Sequence, residues 1–254
     1  MSIDLEVKAR EVRERGFCAL EAVYTADECE QMRGILDAAC RQSGGFSADR
    51  PGISFHPLLQ FAPELVPLFA KPIVVDAIAH VLEDDVRLVH NGGSVFAREF
   101  TGQYLTRWHQ HYHWDIPEGG LQRDHPERVV CNVYVDGSNE DVGPLVVLPR
   151  HVNDPVRPFG KPDESWPGEI AVSIPPGTAI IFDTALWHCS RRGTRLPIRH
   201  LWGGCYQGWH FDKPHRDDNS ADFPAVAQFK KASPILSRLI DGRATRRGDA
   251  KRAD

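Results

Sequence analysis

Between Tyr104 and Asp115 the chain reads YLTRWHQHYHWD. A β-strand alternates its side chains between two faces. A strand here places Leu105, Arg107, His109, His111, His113 and Asp115 on one face. Tyr104, Thr106, Trp108, Gln110, Tyr112 and Trp114 fall on the other, which is mostly aromatic. A row of three imidazoles ending in a carboxylate has little use in packing, and it is a good donor set for a divalent metal. His113 and Asp115 stand two apart as a His-x-Asp pair. With one distant histidine they make the two-His-one-carboxylate face of a non-heme iron site, which leaves the remaining coordination positions open. The stretch also contains an overlapping pair, His109 and His111. Asp115 is followed by Ile116-Pro117-Glu118-Gly119-Gly120, so the later pair sits where a strand opens into a loop.

The distant histidine is His188. An apolar run from Thr178 to Phe182 delivers it, and a basic, turn-rich stretch follows. Ser190 lies two residues beyond and, on a continuing strand, faces the same way and adds a hydroxyl donor. Arg199 opens the next apolar run. A buried arginine needs an anion, and its fork matches a carboxylate bidentately.

These residues need a scaffold, and the remaining pattern supplies one. Residues 4–15 are charged and helix-compatible, and Gly16 to Leu20 is a short apolar run suited to a strand. Thr25 is placed to cap a helix with Glu28 as its capping-box partner. Met32, Ile35, Leu36 and Ala39 continue it at helical spacing to about Arg41. Gly44 to Gly52 reads as loop. Leu58 to Leu82, broken by Pro63, Pro67 and Pro72, reads as two or three short helices. From Val86 the segments turn strand-like: Val86–Val89, Gly93–Phe100, Tyr104–Trp114, Val129–Val135, Gly143–Pro149, Ile170–Ile174, Thr178–Asp183 and Arg199–Gln207. Helices followed by many short strands predict a mainly β fold with packing helices. The expected organisation is one domain over residues 1–240, with a helical part to about residue 85 and a β core over 86–210. The polar tail 241–254 is expected to be disordered.

The 254 residues are 41% hydrophobic and 26% charged, enough to bury a core. A formal net charge of −5 argues against nucleic acid or an anionic membrane as partner. No apolar run approaches membrane-spanning length, and the first residues lack the apolar core of a signal peptide. A cytoplasmic protein is expected. Six cysteines without a Cys-x-x-Cys pair read as scattered buried thiols.

With these residues in place the chain resembles the phytanoyl-CoA dioxygenase family of Fe(II)/2-oxoglutarate-dependent oxygenases, whose core is a double-stranded β-helix, or jelly roll. Four blocks carry the likeness: Glu14-Arg15-Gly16-Phe17 with the helix after Thr25; Trp108 to Asp115; Asp141-Val142-Gly143-Pro144-Leu145 running on to Pro149-Arg150-His151; and Pro176-Gly177-Thr178 to Phe182 with His188, Ser190 and Arg199. The resemblance implies iron held by His113, Asp115 and His188. It also implies 2-oxoglutarate gripped at its far carboxylate by Arg199 with Ser190, and O₂ as second co-substrate. The implied outcome is decarboxylation to succinate coupled to hydroxylation or related C–H oxidation of a small metabolite. Many relatives read Trp-His-Gln-Asp where this chain has Trp108-His109-Gln110-His111. A strict alignment therefore puts His111 at the carboxylate position and makes a three-histidine site of His109, His111 and His188. The later register keeps the only carboxylate of the stretch and suits the family's usual separation from Gly143, with His109 and His111 lining the pocket. The rival readings are a jelly-roll metalloprotein of another class, such as a three-His dioxygenase or cupin-like isomerase, and a non-catalytic 2-oxoglutarate-binding relative. An arginine reserved for a second carboxylate separates the first reading from the metalloproteins of another class.

Overall fold

The first two helices begin where the sequence supplies a side chain to receive their first backbone donors. Asp4 caps α1 (Leu5–Arg15), which ends at Gly16 with φ +82°. Thr25 caps α2 (Ala26–Gln42), and the expected box is complete: the Glu28 amide donates to the Thr25 hydroxyl at 3.2 Å and the Thr25 amide to the Glu28 carboxylate at 2.7 Å. Such a cap contributes about 1 kcal/mol. The proline-broken segment folds as two 3-10 turns followed by α3 (Val66–Phe69) and α4 (Pro72–Leu82). The computed structural model describes residues 3–97, 104–111, 124–154, 160–161, 163–195, 198–211, 227, 231 and 234–241.

The described strands form two antiparallel sheets. They are β1 (Phe17–Leu20), β2 (Gly52–Phe55), β3 (Val86–Phe96), β4 (Tyr104–His109), β5 (Arg128–Tyr134), β6 (Leu145–Val147), β7 (Ile170–Val172), β8 (Thr178–Asp183), β9 (His188–Arg191) and β10 (Arg199–Gly208), with α5 (Pro234–Asp241) near the end. One sheet has the order β1-β8-β5-β10-β3-β2 and the other β4-β9-β6-β7. Phe17, Val130, Tyr134, Leu145, Val147, Ile180 and Phe182 fill the space between the sheets. The outer face of the larger sheet packs on Met32 and Leu36 of α2 and on Val74, Val75 and Ile78 of α4. On the outer face of the smaller sheet, Trp108 stacks on Trp166 with ring centroids 4.6 Å apart. This is the mainly β fold with packing helices that the pattern predicts, in the jelly-roll form that the resemblance implies.

Three boundaries differ from expectation. The two strands expected to either side of Asn91 are one strand, because Gly92 pairs with Gly203 across β3 and β10 and continues the ladder instead of turning. β2 begins in the segment expected to be loop, since Ile53 and Phe55 bury their side chains beside β3. β4 ends at His109 and not at Trp114. All six cysteines are free and buried, as expected. Burial pushes the Cys18, Cys189 and Cys205 thiols up to about 12. Among the described residues no single helix is long and apolar enough to cross a membrane. One bent pair, Pro63–Phe69 with Pro72–Leu82, passes on length and composition, but its Val66, Phe69 and Val75 lie buried in the core.

At the end of β8 the carboxylate of Asp183, fully buried, meets Arg150 at 3.2 Å and accepts the Ala185 amide at 3.0 Å. Arg150 also donates to the Val152 and Asp154 carbonyls, and its own amide donates to the Arg15 carbonyl at the end of α1. Removing one partner of a buried pair leaves a charge without compensation, at a cost of roughly 3–5 kcal/mol. Asp183→Ala is expected to lower the unfolding free energy by about that amount in urea titrations followed by far-UV circular dichroism.

Candidate metal and carboxylate site

His109 closes β4 and His188 opens β9, and the two are paired across the sheet. Plain alternation from Tyr104 would set Thr106 and His109 on opposite faces. Register shifts between Tyr104 and Thr106, and between Thr106 and His109, instead place Thr106 opposite Ser190 and His109 opposite His188. A bulge re-aims the side chains that follow it. His111 lies just past the strand end, where its amide donates to the Thr184 carbonyl at 2.9 Å. Its ring stacks on His188 with centroids 5.0 Å apart, and His109 lies 4.2 Å from His188 on the same measure.

The hydrogen bonds decide which nitrogens can bind a cation. His109 Nδ1 lies 2.7 Å from the Arg107 carbonyl, and His188 Nδ1 lies 3.0 Å from the Leu186 carbonyl. A carbonyl oxygen only accepts, so each Nδ1 carries the proton and each Nε2 keeps a lone pair. Burial, and then the positive charge that His109 and His111 would carry, hold the His188 pKa well below the usual imidazole value. His188 is therefore neutral, the form that ligates. The three residues each offer a ligand atom, and these atoms lie within 4.8 Å of one another. Nitrogens on neighbouring positions of one ion stand about 3 Å apart at His–metal bonds of about 2.1 Å. Small side-chain rotations close that difference, so the donor set fits a divalent ion.

Arg199 opens β10 and is 1% exposed, sealed between the sheets. Its Nη2 lies 3.5 Å from the Ser190 hydroxyl, its guanidinium sits 5.5 Å from the centre of the Tyr134 ring, and its buried Nε has no hydrogen-bond partner. No carboxylate among the described residues is paired with it. Burial lowers the Arg199 pKa, opposed in part by Tyr134 and Asp136. The guanidinium stays charged and awaits an anion.

Of the residues expected to form the site, the structure brings together His109, His111, His188, Ser190 and Arg199. His113 and Asp115 lie outside the described residues. Trp108 packs on the outer face and donates its indole N–H to the Glu164 carbonyl at 2.8 Å, as expected for an outward aromatic. Tyr134 is the residue that sequence reasoning missed. It alternates inward on β5 like any core aromatic, and only the register of β5 against β10 places it under Arg199.

A buried cation without a carboxylate partner destabilises the protein that contains it. Arg199→Met exchanges it for an apolar side chain of similar length, and such exchanges are neutral or stabilising by about 1–4 kcal/mol. The ligand-free variant is expected to unfold at the same or a higher urea concentration than the wild type, in equilibrium denaturation followed by tryptophan fluorescence.

Residues 12–200 match the family model described as Phytanoyl-CoA dioxygenase (PhyH). No curated protein matches the sequence significantly. Among solved structures, the chain is similar to EctD from S. alaskensis, determined with 2-oxoglutarate and 5-hydroxyectoine. Identity is 20%, TM-score 0.63, and the match covers 86% of this chain and 85% of that one. It is also similar to HygX from Streptomyces hygroscopicus, determined with nickel and 2-oxoglutarate, at 17% identity and TM-score 0.63 over 83% and 89% of the two chains. A third similar structure is the carbocyclase SnoK from nogalamycin biosynthesis, at 17% identity and TM-score 0.63 over 80% and 83%. These likenesses show the shared fold, and the family model covers most of the chain. The chain belongs to the phytanoyl-CoA dioxygenase family and is a 2-oxoglutarate-dependent non-heme iron oxygenase.

Proposed function

We propose that the enzyme couples oxidative decarboxylation of 2-oxoglutarate to succinate with hydroxylation, or a related C–H oxidation, of a small-molecule metabolite. In this reading His109, His111 and His188 hold Fe(II), and Arg199 with Ser190 holds the far carboxylate of 2-oxoglutarate. The observation that carries it is the buried guanidinium of Arg199 beside Ser190 on the strand that begins at His188. Two residues along a strand span about 7 Å, the length scale of a five-carbon diacid with one end at the histidines and the other at Arg199. A jelly-roll metalloenzyme that does not use 2-oxoglutarate has no need of that arginine. Relatives crystallised with 2-oxoglutarate, and in HygX also with hygromycin B, support the reading by kinship and extend it to small-molecule substrates. A cytoplasmic location fits such a substrate.

Bound iron supplies activation of O₂ coupled to loss of CO₂ from 2-oxoglutarate. The chain's own residues do the rest. The Arg107 and Leu186 carbonyls fix the tautomers of His109 and His188 and aim two Nε2 lone pairs at one point. The Thr184 carbonyl holds the backbone of His111 beside them. Arg199 and Ser190 orient the co-substrate by its remote carboxylate, and Phe182 packs against the rings of His111 and His188 at the opposite end.

A second reading places the carboxylate of Asp115, with His113, on the metal in place of His109 and His111. It is favoured by Asp115 being the only carboxylate of the stretch. Single alanine variants separate the two. With three histidines as ligands, His109→Ala and His111→Ala lose at least about 100-fold in iron affinity and iron-dependent succinate formation, while Asp115→Ala retains both within a few-fold. A dead Asp115→Ala with active His109→Ala overturns the three-histidine set. Arg199→Met is expected to raise the 2-oxoglutarate Kd at least about 100-fold, roughly 2.7 kcal/mol, by isothermal titration calorimetry.

A further inference from the structure

Arg199 and His200 are consecutive on β10 and point to opposite faces of its sheet. Arg199 enters the space between the sheets, and His200, 4% exposed, faces α2. There the imidazole lies between two carboxylates: Nδ1 is 2.9 Å from Asp136 Oδ2, and Nε2 is 3.0 Å from Asp37 Oδ1 on α2. The His200 backbone amide also donates to Asp136 Oδ2, at 2.7 Å. Asp136 Oδ1 accepts from Arg33 Nε of α2 at 2.7 Å, and Arg33 further reaches Glu30 and the Val135 carbonyl.

Ionised carboxylates only accept hydrogen bonds, so both ring nitrogens must donate. The geometry therefore requires an imidazolium. In that state two cations, Arg33 and His200, meet Asp37 and Asp136 in a half-buried cluster, with the exposed Glu30 carboxylate on Arg33 at its rim. In the neutral state one ring nitrogen turns a lone pair toward a carboxylate about 3 Å away. Beyond the cluster, α2 also presents the Cys40 thiol, pushed up to about 11 by burial and by Asp37. From β3 the cross-strand neighbour is apolar Val95.

We propose that His200 is a positioning residue: as an imidazolium bridging Asp136 and Asp37 it clamps the start of β10 to the turn after β5 and to α2, and so holds Arg199 where it receives the co-substrate carboxylate. This rests on the reading of Arg199 given above. Burial alone would lower the His200 pKa, but the contacts to Asp136 and then Asp37 outweigh it and raise the pKa above the usual imidazole value. Because the folded value is raised, the clamp is fully formed below the unfolded histidine value of about 6.5 and is lost as pH rises through the folded value. Affinity for 2-oxoglutarate should then fall on the alkaline side. Proton competition at the metal-binding histidines acts with the opposite sign, on the acid side.

The test measures the 2-oxoglutarate Kd with Mn(II)-loaded enzyme from about pH 6 to about pH 9, alongside the His200 titration by NMR and the melting temperature at each pH. In the wild type, Kd is expected to rise about tenfold as His200 loses its proton. His200→Gln should bind weakly at every pH, with the alkaline limb flattened. In Asp37→Asn the new amide can donate to Nε2, so the neutral ring keeps both contacts, and the alkaline limb should flatten at the low-pH affinity even as His200 titrates. A wild-type Kd that stays constant while His200 titrates overturns the proposal, and so does an Asp37→Asn Kd that rises as His200 loses its proton. No binding of 2-oxoglutarate to wild type at any pH overturns the functional reading itself, and the clamp's role with it. Should His200→Gln fail to fold, the Asp37→Asn comparison decides alone.

Discussion

A guanidinium sealed between two β-sheets is costly unless an anion meets it, and much of this molecule is arranged around Arg199. Taking such a charge out of water costs several kcal/mol even after the surroundings relax. The fold does not neutralise it with a carboxylate of its own among the described residues. It supplies weaker contacts: a hydroxyl at 3.5 Å and the face of a tyrosine ring. A fully compensated arginine would be a structural element. A partly compensated one keeps affinity in reserve for an incoming carboxylate, as the proposed function requires.

The metal end is braced in a different way. The turn after β8 holds two of the three histidines through backbone carbonyls, Thr184 to the amide of His111 and Leu186 to the ring of His188. That turn is itself pinned from below by Asp183, whose carboxylate accepts the Ala185 amide and meets Arg150. Arg150 in turn links to the end of α1. The buried ion pair of the scaffold and the donor geometry of the site are thus joined by a continuous chain of hydrogen bonds.

Helical and sheet layers meet on opposite faces of the same strand. β10 carries Arg199 inward and His200 outward, so the face that would grip a co-substrate and the face that docks α2 are joined by a single peptide unit. Burial of Met32 and Leu36 against the larger sheet holds α2 in place, and Asp37 and Arg33 use that placement to reach His200 and Asp136. Packing of that helix thereby reaches, through His200, the peptide unit next to the arginine.

Much of this was legible in the residues alone. The Thr25–Glu28 cap, the helical spacing after it, the proline-broken helices, the alternating strands and the trio of His188, Ser190 and Arg199 are all set by neighbours a few positions apart, and local physics reads them directly. The likeness of four ordered blocks to a known family added the jelly roll. What the sequence could not decide depends on contacts between distant strands. Periodicity predicts strict alternation from Tyr104 onward, yet bulges in β4 bring Thr106 and His109 onto the faces of Ser190 and His188, because pairing with β9 outweighs the local period. Gly92 reads as a break until Gly203 is found opposite it. Tyr134 looks like any core aromatic until β5 and β10 are set in register. His200 looks like an idle neighbour of an arginine until Asp37 and Asp136 arrive from elements 163 and 64 residues away. Residue types declare which chemistry is available, and the register between strands decides which of them meet.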